Sequence, residues 1–148
     1  MFRGLRVFVS GIALAGFTLA GTAVASAQEA AKPAPVMTLD GDAAVVTILI
    51  KADKTADFES VLAKYKEALS KSDNAVRKQQ LAGMHFYKGA ASAQGVPYII
   101  VVDPLVKGEE YDITRIITEV FPTEVQALYQ KYKDSFAGRG ISALTKVQ

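Results

Sequence analysis

The chain has no cysteine, no tryptophan and a single histidine in 148 residues. Without cysteine there are no disulfides, no zinc-thiolate sites and no thiol nucleophile, so an apolar core must hold the fold, with or without a subunit interface. One histidine, His85, falls short of the three or four protein ligands that zinc sites use. Strong catalytic motifs are missing as well. The small-residue stretch 89–95 has no G-x-G-x-x-G and no Lys-Ser/Thr pair for phosphates, and no G-x-S-x-G elbow occurs.

An excess of charge is also absent once the N-terminus is read for what it resembles. Arg3 and Arg6 precede an apolar, acid-free run over residues 7–24, and Ala25-Ser26-Ala27 offers a small-x-small cleavage site before Gln28. That three-part pattern predicts a secretory signal peptide over residues 1–27. Lipoprotein anchoring is excluded for want of a cysteine. Arg3 and Arg6 are two of the 17 basic residues, so without them the chain balances its 15 acids. A neutral mature chain gives no electrostatic case for nucleic acid. No later run is long enough to cross a bilayer, so no transmembrane segment follows leader cleavage. The expected location is the periplasm or the exterior of a bacterium.

Residues 28–42 hold Pro33, Pro35 and Gly41 among small and polar residues and read as a flexible tether. One folded domain is expected over residues 43–148. Residues 45–50 are rich in β-branched side chains and predict a buried strand. Thr55 is placed to cap a helix whose stripe is Phe58, Val61, Leu62, Tyr65 and Leu69. A short helical piece over residues 75–80 follows, then strands at 84–87 and 96–102 that pair as an antiparallel hairpin. Ile113, Ile116, Ile117 and Val120 begin a second helical region, with Asp112 as its N-cap. Pro122 breaks it near Phe121. Val125, Leu128, Tyr129, Tyr132 and Phe136 resume the stripe, Gly138 and Gly140 stop it, and a closing strand begins at Ile141.

The order β-α-β-β-α-β predicts an α+β, ferredoxin-like fold: a four-stranded antiparallel sheet with helices on one face. Size and element order over residues 43–148 resemble the dimeric α/β-barrel superfamily and its antibiotic-biosynthesis-monooxygenase-like domains. That resemblance implies two sheets facing each other in a homodimer. Its members include cofactor-free oxygenases, haem-handling proteins and proteins without known activity, and no family site residue maps onto this chain.

Candidate chemistry is sparse. His85 and Tyr87 share one strand face and are the candidate acid/base or polar-ligand pair, because imidazole titrates near neutrality. The strand over 96–102 (VPYIIVV) is apolar on both faces, and two apolar faces need two partners. Tyr98, Ile100 and Val102, with His85 and Tyr87, are the candidate ligand-binding residues on the face away from the helices. Asp103, Glu109, Glu110 and Asp112 lack a calcium-loop pattern and read as a solvated acidic turn, so no metal is assigned. Lys64, Lys66, Lys71, Arg77 and Lys78 read as solvated helical surface.

Three functions are consistent with this reading. The first is an exported, non-catalytic homodimer with a place for a small apolar ligand at its sheet face and no cofactor. The second is a cofactor-free monooxygenase-like enzyme with a pocket near His85 and Tyr87. The third is an envelope accessory or adaptor protein.

Overall fold

The computed structural model describes residues 33–147. The expected leader, the cleavage site and the first residues of the expected tether lie outside the described residues. Four strands and four helices follow in the order β1 (Ala43–Ile50), α1 (Thr55–Lys71), α2 (Ala75–Ala82), β2 (Met84–Lys88), β3 (Val96–Val102), α3 (Ile113–Val120), α4 (Val125–Ser135) and β4 (Phe136–Leu144). The sheet order is β2-β3-β1-β4 and every pairing is antiparallel. This is an α+β arrangement consistent with a ferredoxin-like plan. Among the described residues no helix is long and apolar enough to cross a membrane.

Alternation along β1 and β3 divides the sheet into two faces. Val46, Ile48 and Ile50 of β1 and Val96, Tyr98, Ile100 and Val102 of β3 are buried, while the residues between them are only half-buried. The buried row joins Phe58, Val61, Leu62, Tyr65 and Leu69 of α1, Ile113, Ile116 and Ile117 of α3, and Leu128 of α4 in one core. Helical stripes at three- and four-residue spacing deliver those side chains to the sheet. Burying each of the larger ones contributes about 1.5–3 kcal/mol. At the centre, the Phe58 ring meets Tyr98 edge-on with centroids 4.8 Å apart.

Several expectations about boundaries need correction. Thr55 is the first residue of α1 rather than its cap. A 3-10 turn over Ala52–Lys54 leads in, and Lys54 occupies the cap position without a side-chain bond. The Asp112 carboxylate does cap α3, accepting the Arg115 N–H at 2.9 Å. The break near Pro122 is present, between Val120 and Val125. Gly138 and Gly140, however, stop no helix. α4 ends at Ser135, and both glycines lie inside β4, which begins at Phe136 and pairs along β1.

The segment read as a tether is bound to the domain from Val36 onward. Leu39 is 2% exposed and belongs to the core, and Met37 packs beside it. The backbone is tied at both ends. Val36 and Met37 donate to the Glu110 carboxylate, Tyr111 N–H donates to Met37 C=O, and Asp42 N–H donates to Leu144 C=O. Two apolar residues in a Pro- and Gly-punctuated stretch carry no periodic signal, although Leu39 lies in the core and Met37 packs against it.

Candidate functional site

In an antiparallel pair, directly opposed residues share a face. The register therefore defines the half-exposed face of the sheet as three rows. The first is His85–Val101–Val45–Ser142, the second is Tyr87–Ile99–Thr47–Gly140, and the third is Pro97–Leu49–Gly138. Apolar side chains fill its centre, Tyr87 stands 57% exposed at the β2 edge, and along the β4 edge Gly138, Gly140 and Ser142 precede Leu144, which pairs with Ala43 and is 42% exposed. No described helix contributes buried residues to this face; the core cluster contains none of these residues.

His85 and Tyr87 fall on the same face, as their spacing requires. They are exposed, and no hydrogen bond or ion pair engages the His85 imidazole among the described residues. The other candidates are placed differently. Tyr98, Ile100 and Val102 point into the core beneath the helices. The residues of β3 on the half-exposed face are Pro97, Ile99 and Val101. Both faces of VPYIIVV are apolar, so its sequence carries no sign of which set faces inward.

Tyr98 keeps a polar outlet at the core's rim. Its hydroxyl donates to Glu59 Oε1 at 2.7 Å, and Lys88 Nζ lies at the same distance from that oxygen. The Lys88 ammonium, then the Tyr98 hydroxyl, hold the Glu59 carboxyl below its ordinary range. Partial burial, then the adjacent Glu59 carboxylate, push the Tyr98 phenol up. Tyr65 lies fully inside, its hydroxyl donating to Tyr111 C=O at 3.3 Å, and burial pushes its phenol far above the usual value.

Two cavities bear on ligand binding. Ile100 and Val102, with Leu39, Ile48, Tyr65 and Tyr111, line an apolar void of about 20 Å³ between sheet and helices. That volume admits one water and no organic ligand. A larger groove of about 430 Å³ lies on the half-exposed face. Thr47, Leu49, Pro97, Gly138 and Gly140 form its floor, and Ser92 and Gln94 of the β2–β3 loop form its rim. Its size is within the range of small-molecule sites. His85 and Tyr87 do not line it.

The loop rim is held rigidly. Ser92 and Gly95 exchange backbone hydrogen bonds at 2.9 and 3.1 Å, and the Ser92 hydroxyl donates to Gly95 C=O. Gly95 has φ +127°, and a Cβ there would lie 2.4 Å from the Ile50 carbonyl oxygen. Only glycine brings the loop this close to the end of β1.

The acidic turn and the basic surface also need correction. Arg77 is fully buried, and its guanidinium grips Glu119 with two bonds of 2.9 and 2.6 Å. Its remaining edge donates to Gln80 Oε1 at 2.8 Å and to Glu110 C=O at 3.1 Å. Glu110 is buried too. Its carboxylate accepts from the backbone N–H groups of Val36, Met37 and Asp112 at 2.7, 3.0 and 2.9 Å. Burial pushes this carboxyl up, yet the backbone donors outweigh it and leave it below the usual range. The cluster is a structural clamp joining α2, α3 and the strap at residues 36–42. Among the described residues no group of acids or histidine is arranged to hold a metal ion.

Comparison of the chain with protein-family models, with curated proteins and with solved structures finds no match.

Proposed function

We propose that the mature chain is an exported, non-catalytic protein that works as a homodimer, its sheets facing each other across a site for a small apolar ligand. One observation carries this reading: the second face of the sheet is apolar at its centre and lacks a covering layer among the described residues. Export rests on the leader pattern of residues 1–27.

The face is also self-complementary. A two-fold axis parallel to the strands, between two facing sheets, lays β2 of one copy over β4 of the other. The Tyr87 ring then stands over a strand whose inward residues are Gly138, Gly140 and Ser142. A large side chain meets the gap left by Gly138 and Gly140, and β3 meets β1 through Ile99, Val101, Val45 and Leu49. Isologous contacts of this kind are the commonest in soluble oligomers. Strands about 4.8 Å apart and about 3.4 Å per residue make the face roughly 19 by 24 Å. Two such faces bury about 900 Å² in total, below the usual range for a stable specific interface, so the dimer is weak and reversible. Each copy brings one groove beneath its 89–95 loop to the interface: the row through Tyr87 and Ile99 covers its Thr47–Gly140 end, and its Leu49, Pro97 and Gly138 end stays open for the ligand.

A second reading has its own observation. His85 and Tyr87 share the half-exposed face and would be enclosed by the dimer, which suits a cofactor-free monooxygenase-like enzyme. The fold alone does not choose between them. Native mass spectrometry of protein expressed with its own leader and recovered from the periplasm tests the proposal. The expected species starts at Gln28, has twice the chain mass and retains a small molecule. A monomer without added mass at concentrations above 100 times a typical micromolar Kd contradicts it.

A further inference from the structure

We propose that a second site, between the end of α4 and the start of β4, binds a small planar ring bearing a carboxylate. α4 places Tyr129, Tyr132 and Lys133 on one ridge, and Phe136 continues it into β4 at the i, i+3, i+4, i+7 spacing of a helical face. Arg139 pairs with Ile48, whose side chain faces the core, so it stands on the helix side of β4. These five residues line a pocket of about 230 Å³.

Its rings are unusually available. Tyr129 is 45% and Phe136 37% exposed, and the Phe136 ring meets Tyr132 edge-on at 5.8 Å. Its charge is one-sided, because no carboxylate lines it. Among the described residues no ion pair engages Lys133 or Arg139, a state they share with Lys66, Lys78, Lys107, Arg115 and Lys131; what sets these two apart is that they border the same exposed rings. Asp134, next in sequence to Lys133, accepts from Gln130 instead. Arg139 reaches only the Met37 sulfur, at 3.3 Å, a weak acceptor that a carboxylate displaces.

The complement of this pocket carries both a π-face and a negative charge. A neutral ring would leave the Arg139 fork unused, and a bare anion would leave the rings uncovered; Asp112, on the wall of the inner void with Arg139, does not line this pocket. Arg139 supplies the fork that recognises a carboxylate through two parallel bonds, and the tyrosines supply stacking surface. The inner void shares Tyr132 and Arg139 as its wall and is too small to admit the ring, which keeps the ligand at the surface. Tyr129, Tyr132 and Phe136 lie on the helix side of the sheet, and Arg139 on the edge strand borders both this pocket and the groove of the other face.

The test is an NMR titration of the mature chain with benzoate, benzyl alcohol and acetate as separate probes. Benzoate is expected to shift residues 129–139 saturably, and each of the other two to bind at least about tenfold more weakly, since each lacks half of the complement. Arg139→Gln and Tyr129→Ala, both at exposed positions, each weaken benzoate by about fivefold or more at unchanged melting temperature. Equal affinity for benzyl alcohol, shifts centred elsewhere, or no saturation with benzoate overturns the proposal. So does an Arg139→Gln variant that folds and binds benzoate as tightly as the unaltered chain.

Discussion

Replacing Arg77 with methionine tests whether a residue that looks like surface charge holds the helical layer together. Methionine keeps a long flexible stem in the same space, so the change removes hydrogen bonds rather than opening a large cavity. Glu119 is partly exposed and recovers water when its two bonds are lost. Gln80 does not: it is fully buried and its Oε1 loses the Arg77 donor, which costs about 1–3 kcal/mol. Glu110 C=O retains the Gln80 Nε2 donor at 2.9 Å and adds little. With the lost charge-assisted pair, Arg77→Met should destabilise by about 3 kcal/mol, a large share of the 5–15 kcal/mol typical of a domain. At about 4 °C per kcal/mol the melting temperature falls by roughly 12 °C. Urea denaturation followed by circular dichroism measures the change, with Lys78→Met at the exposed neighbouring position as a control that should move less than about 0.5 kcal/mol. An Arg77→Met variant within about 0.5 kcal/mol of the parent chain would refute the clamp.

Other expectations follow from the same geometry. Leu39→Ala should cost about 2–4 kcal/mol in denaturant unfolding, because this strap residue fills the core; a loss below 0.5 would make the segment a tether after all. Gly95→Ala should cost about 2 kcal/mol or more, since φ +127° and the Ile50 carbonyl both reject a Cβ, and an unchanged melting temperature would contradict that packing. The lowered Glu110 carboxyl contributes stability that is present above its ordinary value of 4.5 and lost as pH falls through the lower folded value. Glu110→Gln should therefore flatten the acid side of the stability profile while lowering the neutral plateau by about 1–3 kcal/mol, and parallel profiles would count against it.

Much of the element order was legible because periodicity reports burial locally. The stripe from Phe58 to Leu69, the β-branched run before it and the Pro122 break all act within a turn or two of their own residues. Errors arose where the deciding partner is distant in sequence. Arg77 meets Glu119 forty-two positions away, and nothing beside it separates a clamped guanidinium from a solvated one. Val36 and Met37 are bound through Glu110 and Tyr111, over seventy positions away. In β3 the two apolar faces hid their own phase, which is why Tyr98, Ile100 and Val102 were expected on the wrong side. The two glycines of β4 imitate a helix stop, although their effect is to leave a bare strip on the sheet. The face itself was readable as an unmet need for a second partner. The positions forming it became clear only once the register with β1 and β2 was known.

The proposed sheet-to-sheet interface is most directly tested by crosslinking in this cysteine-free background. A two-fold axis parallel to the strands maps the row Tyr87–Ile99–Thr47–Gly140 onto itself in reverse, bringing Tyr87 of one copy over Gly140 of the other. Facing sheets pack about 10 Å apart, within reach of a short bismaleimide and beyond that of a disulfide. The chain carrying both Tyr87→Cys and Gly140→Cys should give covalent dimers in high yield, as should a mixture of the two single variants, while either single variant alone should not. Crosslinking of the Tyr87→Cys variant by itself would contradict this axis, and no dimer from any combination would contradict the interface.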